Sequence, residues 1–339
     1  MIPRFDRMLH LGNVVVDVVL DVPALPERGG DVLASATQVT PGGGFNVMVA
    51  AAAQGLPACY GGALGTGPFA ALARAALADA GIEVLLPPTA GLDTGFVVTV
   101  VEAGGERTFL TSRGAEAAVT CADLAAVRSR PGDAVYVSGY GLLRSAFPHG
   151  GGPPPVLGWL DRLGAANVVF FDPGPLVGSI PGGVLDRVLR RADWVTCNAR
   201  EAAVLTGCDD PLAAARALMA DRGGTSREGL GRLEAPREGP GWRGGVLVRT
   251  GPAGCLVGVA EAGARAGEPV AVPGFSVDVV DTNGAGDAHT GTFVAALARG
   301  ADPLAAARTA NAAAALAVTR RGPATAPSQA ELARFLAAR

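Results

Sequence analysis

The chain has 339 residues, of which 49% are hydrophobic, and its formal net charge at pH 7 is -3. It is therefore long enough to bury a large core, and because it lacks a run of about five or six like charges, its composition argues against nucleic acid or an anionic membrane surface as a partner. All 28 basic residues are arginine, which excludes mechanisms that need a lysine, namely a P-loop kinase, a protein-kinase-like fold and Schiff-base catalysis.

The N-terminus and the cysteines narrow the class of protein further. The first ten residues lack the charged-then-apolar layout of a secretory signal, and no apolar run reaches the roughly 18 residues that span a bilayer. We therefore expect a cytoplasmic protein with a small-molecule ligand. The five cysteines are scattered, without a C-x-x-C pair, and only three histidines accompany them. This pattern argues against a zinc site or a disulfide framework, and we expect the cysteines to be small core residues.

Apolar, β-branched stretches alternate with stretches rich in alanine and leucine along most of the chain. The predicted strands and helices, in chain order, are 13–20, 69–80, 134–138, 156–163, 168–172, 184–190, 194–196, 211–221 and 246–249. Such an alternation predicts an α/β fold with a doubly wound, mostly parallel sheet and helices on both faces. We expect one domain over residues 1–339.

Two early stretches break this alternation. Residues 31–40 predict a short antiparallel strand, and 94–102 with 107–111 predict a hairpin. We expect strands drawn from about 13–45 and 93–113 to form a small β-sheet that lies over the carboxyl edge of the main sheet as a lid. Further along, 222–244 is rich in glycine and charge with little apolar periodicity, which predicts a flexible insertion.

The C-terminal part of the chain predicts helices with clear start signals. Asp302 followed by Pro303 predicts a helix that runs to about Thr319, and Ser328 with Glu331 predicts a capping box for the last helix.

Residues 276–300 predict a strand, a glycine turn and an amphipathic helix. Gly284, Ala285 and Gly286 could bring backbone N–H groups together at the helix N-terminus, where an anion such as a transferring phosphate is favoured. Asp287 would repel that phosphate unless it faces the attacking hydroxyl, whose proton it could accept as a general base. A bare Gly-x-Gly-Asp favours the simpler alternative, an acid that satisfies the helix dipole.

The whole string DTNGAGD at 281–287 closely resembles the D-T-x-G-A-G-D motif of the ribokinase family of carbohydrate and nucleoside kinases. Further family landmarks appear in the expected order: Gly12-Asn13 with Asp17, Gly42–Asn46, Asn198–Glu201, Thr250–Gly254 and Asn311. The resemblance spans about residues 9–327. It implies a ribokinase-like fold with a β lid, ATP as the phosphoryl donor, Mg²⁺, and transfer of the γ-phosphoryl group to a hydroxyl of a sugar or nucleoside.

The resemblance also implies roles around the reacting groups. Asp287 corresponds to the general base, and the amides of Gly284, Ala285, Gly286 and Asp287 correspond to an anion hole. Three matching residues would bind substrate hydroxyls, namely Asp17, Gly43 and Asn46, and Arg107 on the lid hairpin could reach over the acceptor.

The nucleotide and metal positions follow in the same way. Asn198 and Glu201 match the family's N-x-x-E, and on one helix face Glu201 could hold Mg²⁺ through water; a solvated helix face is the alternative. Asp281 corresponds to a ligand of the monovalent cation, K⁺, that many members bind.

Two further matches would serve the nucleotide. Thr250, Gly251 and Gly254 would line its site, or they form an ordinary tight turn. Asn311 either meets the nucleotide, which we favour, or caps a buried backbone group.

The chain departs from the family pattern at two positions. Ribokinases usually carry a lysine where this chain has Gly44, and His289 replaces an aromatic residue shortly after Asp287. A phosphorylated acceptor brings about two extra negative charges, and family members that use one meet that charge with basic side chains. The absence of lysine therefore predicts an unphosphorylated sugar or nucleoside as acceptor. The alternative is a phosphorylated acceptor bound by Arg107 and Arg113, which lie on or just after the lid hairpin, because arginine binds phosphate at least as well as lysine. We also expect that the chain could dimerise through its lid.

Two other classes of function stay open from the residues alone. Residues 65–70 satisfy the dinucleotide pattern G-x-G-x-x-A, with Glu83 downstream, as in an NAD-dependent oxidoreductase. This reading leaves DTNGAGD unexplained. The second alternative is a catalytically silent sugar-binding regulator, against which the presence of Asp287 and Glu201 argues.

Overall fold

The structure is a computed structural model and describes residues 4–146, 152–222, 242–261 and 267–339. The strands in these residues are β1 (Arg7–His10), β2 (Val14–Val22), β3 (Ala36–Gly43), β4 (Ala58–Tyr60), β5 (Glu83–Val84), β6 (Phe96–Glu102), β7 (Arg107–Ser112), β8 (Asp133–Ser138), β9 (Val168–Asp172), β10 (Trp194–Asn198), β11 (Trp242–Arg249), β12 (Gly254–Glu261) and β13 (Val270–Pro273). The α-helices are α1 (Gly44–Ala53), α2 (Pro68–Asp79), α3 (Cys121–Ala126), α4 (Pro155–Leu160), α5 (Gly182–Arg191), α6 (Ala199–Thr206), α7 (Pro211–Arg222), α8 (Ala285–Ala298), α9 (Pro303–Ala317) and α10 (Gln329–Ala337).

The main sheet has the strand order β13-β12-β11-β10-β9-β8-β1-β4-β5. Its strands are parallel except β12, which runs antiparallel to both of its neighbours. The chain leaves β1 toward β4 and β5 on one side, and it later adds β8 to β11 on the other side. The connection therefore reverses direction between β1 and β8, and ligands bind at the carboxyl edge of such a switch point in open α/β sheets.

Hydrophobic burial on both faces explains why the central strands are almost continuously apolar. Successive residues contribute to opposite cores, so that Leu9 and Val195 belong to one core and Met8 and Trp194 to the other. The predicted doubly wound α/β class is thus confirmed, although the first strand of the main sheet, β1, lies outside every predicted strand.

The small sheet has the order β3-β2-β6-β7. β2 pairs antiparallel with β3 and parallel with β6, and β6 and β7 form the predicted hairpin, with Phe96 opposite Ser112. A separate small sheet is therefore confirmed. Its strand β3 begins at Ala36, five residues after the start of the predicted range 31–40, and extends to Gly43.

The segment around the glycine motif differs from the prediction in two respects. Residues 276–283 contain no strand, since the preceding strand β13 ends at Pro273. The helix α8 is not amphipathic, because every residue from Ala288 to Leu297 is buried. It packs between α1 and α9 and therefore has no solvent face.

The helix start signals near the C-terminus are confirmed. The Asp302 side chain accepts from the backbone N–H groups of Leu304 and Ala305, and Ser328 with Glu331 forms a reciprocal capping box. Of the cysteines, Cys121 is exposed and not a core residue.

The predicted insertion at 222–244 has narrower bounds, because Arg222 ends α7 and residues 242–244 belong to β11. The remainder of that prediction lies outside the described residues. No helix in the described part of the chain is long and apolar enough to cross a membrane.

Candidate active site

A cavity of about 860 Å³ lies at the carboxyl edge of the main sheet. Five strand ends contribute side chains to its wall: His10 from β1, Ser138 from β8, Asp172 from β9, Asn198 from β10 and Arg249 from β11. The N-terminal turns of α1 and α8 complete the wall. Its position beside the reversal between β1 and β8 is the one at which α/β sheets bind ligands, and its volume suits a nucleotide with a small acceptor.

The glycine turn before α8 has a conformation that only glycine adopts easily. Gly284 has a φ of 73°, and a Cβ there would lie 1.9 Å from the carbonyl oxygen of Pro323. Among the described side chains, none caps the helix from Gly284. The Ala285 N–H donates to the carbonyl of Thr282 at 3.3 Å, whereas the N–H groups of Gly286 and Asp287 have no described partner and lie at the cavity, where an anion would be stabilised.

Asp287 follows this turn and lines the cavity. Its Oδ2 accepts a hydrogen bond from Nδ2 of Asn46 at 3.1 Å. Burial, aided by the charges of Asp172 and Asp17, raises the pKa of Asp287 to about 7, against the opposing effects of Asn46 and Arg249. A carboxyl with this pKa is half ionised near neutral pH, which suits a general base.

Asn46 lies in α1 and Asp17 in β2 of the small sheet, and neither is among the described residues that line the cavity. The Oδ1 atom of Asn46 is buried and has no hydrogen-bond partner among the described residues. Asp17 lies in the middle of β2, not at a strand end, and a Cβ at Gly42 would lie 2.2 Å from its Oδ2. Burial raises the pKa of Asp17 to about 6. The Oδ1 atom of Asn46 therefore retains unused capacity to accept a hydrogen bond.

Arg249 is a buried cation that sequence analysis missed. Its Nη2 lies 3.1 Å from Oδ2 of Asp172 and 3.7 Å from Oε2 of Glu201, and its Nη1 donates to Thr290 at 2.8 Å. Burial works to lower the pKa of Arg249, but the charges of Asp172 and Glu201 raise it above the ordinary value. The available signal was that Asp172 and Arg249 are each the last residue of a parallel strand.

Asn198 and Glu201 form a reciprocal capping box at the start of α6. Oδ1 of Asn198 accepts from the N–H of Glu201, and Oε2 of Glu201 accepts from the N–H of Asn198, both at 2.8 Å. Glu201 is only 4% exposed, so the alternative of a solvated helix face is wrong. Burial and then the charge of Asp172 raise the pKa of Glu201.

Of the residues predicted to bind the nucleotide, some line the cavity and others make hydrogen bonds to the backbone. Gly251 and Gly254 line the cavity, whereas Thr250 closes the turn by donating its N–H to the carbonyl of Gly254 at 2.8 Å. Asn311 lines the cavity, but its Nδ2 donates to the carbonyls of Val272 and Pro273. The backbone-capping alternative therefore describes the Asn311 amide.

Asp281 and Arg107 contact each other at 2.6 Å. Asp281 also accepts from the N–H groups of Asn283 at 2.9 Å and Gly322 at 3.0 Å. Burial works against ionisation, but these two amides and Arg107 together lower the pKa of Asp281. The two residues expected at the acceptor and at a cation site thus join the small sheet to the loop before α8.

The dinucleotide pattern at 65–70 is not a nucleotide site. The carboxylate of Asp93 accepts from the N–H groups of Phe69 at 3.1 Å and Ala70 at 2.8 Å. A Cβ at Gly67 would lie 2.3 Å from Cγ of Asp93. The amides that a pyrophosphate needs are therefore already bonded to an internal carboxylate, and the oxidoreductase alternative is wrong.

The described residues contain no group of three or more His, Cys, Asp and Glu side chains that could hold a metal ion. The carboxylates of Asp172 and Glu201 nevertheless supply hard oxygen atoms at the cavity wall. Such a wall fits Mg²⁺, which usually keeps several waters and binds protein through one or two carboxylates together with substrate phosphates.

Comparison with known proteins places these features in a family. A family model described as pfkB family carbohydrate kinase matches residues 6–330. The uncharacterized sugar kinase YegV of Escherichia coli (strain K12) is 33% identical over 327 residues, which cover 96% of this chain and 92% of that protein. The ATP-dependent ribose-1-phosphate kinase of Halopiger xanaduensis is 31% identical over 339 residues, with coverages of 98% and 99%. A ribokinase structure from Thermotoga maritima superposes with a TM-score of 0.74 at 23% identity, covers 98% of this chain and 100% of its own, and shows the same fold.

Proposed function

Since the chain belongs to the pfkB family of carbohydrate kinases, we propose that it transfers the γ-phosphoryl group of ATP to a hydroxyl of an unphosphorylated sugar or nucleoside, with Asp287 as the general base. The observation that carries the proposal is the meeting of a carboxyl of raised pKa with the open N-terminus of α8 in one cavity. A base and an anion site together are what attack of a hydroxyl on a phosphoryl group requires.

In this mechanism Asp287 accepts the proton of the acceptor hydroxyl as its oxygen approaches phosphorus. The oxygen–phosphorus bond forms while the bond from phosphorus to the bridging oxygen breaks, and ADP leaves with that oxygen. The amides of Gly284, Gly286 and Asp287 face the charge that develops on the transferring group, and the Ala285 amide joins them when it gives up its 3.3 Å bond to the Thr282 carbonyl. Asn46 holds the Asp287 carboxylate through its Nδ2, and its unpartnered Oδ1 can accept from another hydroxyl of the acceptor.

Arg249 supplies the positive charge behind this site. It lies under the glycine turn, because a Cβ at Gly286 would lie 3.6 Å from its Nε. Asp172 and Glu201 hold the guanidinium in place from the other side. We propose that this cation offsets the charge of the phosphates, a role that no lysine can play because the chain has none.

Mg²⁺ would be held through water by Glu201, beside Asn198, and when bound it neutralises phosphate charge. Only one Glu201 oxygen, Oε2, takes part in the capping box, which supports this role. A raised magnesium requirement in Glu201→Gln at unchanged acceptor KM checks it, whereas an unaltered requirement removes Glu201 from the metal site.

We propose that Asp281 binds a monovalent cation such as K⁺, for which Arg107 would compete. The Arg107 guanidinium already neutralises that carboxylate. Activity in K⁺ compared with a large organic cation at equal ionic strength decides whether the site takes a cation, and equal rates would assign Asp281 to the ion pair alone.

The lid also supports the proposed homodimer. Phe109 and Leu110 on β7 and Val39 on β3 are large apolar side chains of the small sheet that stand exposed, Leu110 to 63%. Leu110 and Val39 lie at opposite edges of the small sheet but on one face, since Leu110 pairs with Val98, Val98 with Val18 and Val18 with Val39. Exposed apolar residues on one face favour association. Sedimentation of the wild-type chain and of a Phe109→Ser, Leu110→Ser variant tests this contact.

The proposal of an unphosphorylated acceptor rests on the charges of the cavity wall. Among the described residues that line the cavity, the one arginine is Arg249, and it is paired with carboxylates. Burial lowers the pKa of His10 and of His289 to about 3, so both are neutral at physiological pH. Ribose 1-phosphate, which the Halopiger relative takes by its name, is the competing acceptor and would bring its phosphate to a wall with no spare cation.

An ADP-release screen tests the proposal with D-ribose, D-fructose, adenosine, ribose 1-phosphate and fructose 6-phosphate, and with Asp287→Asn as the blank. We expect turnover of an unphosphorylated acceptor. A preference for a phosphate ester by tenfold or more in kcat/KM, about 1.4 kcal/mol, would overturn the charge argument. Sugar binding without turnover would show a silent sugar-binding protein instead.

A further inference from the structure

His10 is a buried histidine that the proposed mechanism does not use. It is the last residue of β1, at the point where the strand order reverses, and its exposed fraction is 0%. Its ring stacks on that of Tyr136 from β8, with centroids 4.9 Å apart and an angle of 19° between the planes. Two neighbouring strands therefore hold the imidazole in one orientation at the cavity wall.

The hydrogen bonds of His10 determine its tautomer. The backbone N–H of Gly12 donates to Nδ1 at 3.1 Å, so Nδ1 must carry a lone pair. Burial keeps the ring neutral, which leaves the proton on Nε2. That nitrogen is buried and has no hydrogen-bond partner among the described residues. A buried donor without a partner costs about 1–3 kcal/mol, so a ligand that supplies an acceptor there gains that free energy on binding.

Glycine at position 44 makes room for this ring. A Cβ at Gly44 would lie 2.1 Å from Cε1 and 2.4 Å from Nε2 of His10. The imidazole therefore fills the space that a side chain at position 44 would occupy. His10 and Gly44 act as a complementary pair, and the Nε2–H of His10 is a polar group at this end of the cavity, which Asn13 and Ser138 also line.

The position of His10 relative to Asp287 places it on the acceptor side of the cavity. Gly44 begins α1, and two residues later Asn46 donates to Oδ2 of Asp287. The nucleotide-lining glycines, Gly251 and Gly254, follow β11, four strands away in the sheet. A molecule whose hydroxyl faces Asp287 would therefore contact the wall formed by His10 and Gly44.

We infer that His10 is a specificity-determining residue, whose Nε2–H donates a hydrogen bond to an oxygen of the bound sugar or nucleoside and so orients its reactive hydroxyl toward Asp287. This inference rests on the proposed function, since it names a contact of the same acceptor. The donor is neutral, so it recognises a hydroxyl, ring or carbonyl oxygen without requiring a charged group.

Two matched variants separate this role from a purely structural one. Asparagine places its Oδ1 where Nδ1 of histidine lies and keeps the bond from Gly12, whereas glutamine places its Nε2 where the histidine Nε2 lies and keeps the donor. We expect His10→Asn to raise the KM of the acceptor by about tenfold or more at unchanged KM for ATP. His10→Gln should stay within about threefold of wild type in acceptor KM, a difference of roughly 0.7 kcal/mol. The opposite order, with His10→Asn normal and His10→Gln impaired, would assign His10 a structural role.

A measurement on the wild-type chain keeps the inference testable if either variant fails to fold. The chain contains three histidines, so ¹⁵N-histidine NMR spectra are simple. Spectra are recorded with a non-hydrolysable ATP analogue, before and after addition of D-ribose, D-fructose or adenosine. We expect Nε2 of His10 to be protonated in both states and its resonance to shift with the acceptor that is turned over.

The two proposals fail separately in this design. Turnover of an acceptor that leaves the His10 resonance unmoved overturns the His10 contact and leaves the kinase proposal intact. A shifted resonance without turnover of any compound overturns phosphoryl transfer and supports the contact. Neither turnover nor a shift with any of the three compounds overturns both.

Discussion

The helices α2 and α8 each begin after a glycine-rich turn, but the backbone N–H groups at their N-termini differ in their hydrogen bonds. At α2, which follows Gly65 and Gly67, the carboxylate of Asp93 accepts from the N–H groups of Phe69 and Ala70. At α8, which follows Gly284, no described side chain caps the turn, and the amides of Gly286 and Asp287 lie at the cavity without a described partner. A glycine turn into a helix is therefore an anion site only where the rest of the fold leaves it open.

The acids near the two turns also differ. Asp93 accepts from three backbone N–H groups, including that of Thr94 at 2.7 Å, and its charge stabilises α2. Asp287 has one described hydrogen-bond donor, Asn46, and its pKa is raised to about 7. One carboxylate serves the stability of the fold, while the other is kept at a cost to stability where it can accept a proton.

Replacement of the two acids should give the largest contrast. Asp287→Asn removes the proton acceptor and should lower kcat by about 10²–10⁴-fold at similar KM for ATP, because a positioned general base contributes that much. Asp93→Asn, the matched change at α2, should leave kcat within about twofold of wild type. Steady-state kinetics measures both, and a loss below about tenfold in Asp287→Asn would remove Asp287 from the role of base.

In Asp287→Asn the free energy of unfolding should rise while kcat falls, and the size of this rise should depend on pH. The folded pKa of Asp287, about 7, lies above that of an unfolded aspartate, about 3.8. Between these values folding takes up a proton, so wild-type stability falls as pH rises and levels off above about pH 7. Asp287→Asn lacks this loss and should be more stable than wild type by about 2–4 kcal/mol near pH 8, and by little near pH 4.

Denaturant unfolding of both proteins at the two pH values measures this effect. An equal stability difference at both pH values would show that Asp287 is not held at a raised pKa. The same ionisation predicts that kcat/KM rises through about pH 7, because the base must be deprotonated.

Replacement of the second glycine of each turn by alanine should affect activity at α8 and stability at α2. A Cβ at Gly286 meets nothing closer than Nε of Arg249 at 3.6 Å, so Gly286→Ala should fold with unchanged or higher stability. Its methyl group would stand between the turn and the Arg249 guanidinium and should lower kcat by about tenfold or more, because it shields that cation from the transferring group. Gly67→Ala, whose Cβ would clash with Asp93, should lose about 1–3 kcal/mol of stability and keep its kcat.

Melting temperature and kcat, measured together on the two alanine variants, separate these effects. If Gly286→Ala retained full activity, the first turn of α8 would not face the transferring group.

The smallest effect should come from opening α2. Asp93→Ala leaves the amides of Phe69 and Ala70 without their partner and should cost about 1–2 kcal/mol in unfolding free energy, the usual cost of a lost cap. Its kcat should stay near the wild-type value, because α2 contributes no described residue to the cavity. A fall in kcat as large as that in Gly286→Ala would show that the two turns do not differ in function.

The sequence determined the features that depend on neighbouring residues. The alternation of apolar strands with helices predicted the doubly wound sheet, and the turn at 103–106 predicted the β6–β7 hairpin. Capping signals at Asp302 and Ser328 predicted two helix starts. The string at 281–287 predicted the family, because local motifs keep their spacing along the chain. The main-sheet strand β1 was not predicted, since its four residues show no periodicity of their own.

Contacts between side chains that are distant in the chain depend on the tertiary structure and were not predicted. Asp93 satisfies α2 from a position more than twenty residues away, and Arg249 gains Asp172 and Glu201 only because the ends of parallel strands converge on one edge. The same convergence brings His10 against Gly44 and leaves its Nε2 without a described partner. Burial and partner groups determine pKa values and free hydrogen-bonding capacity, and both arise from contacts between residues that are distant in the chain.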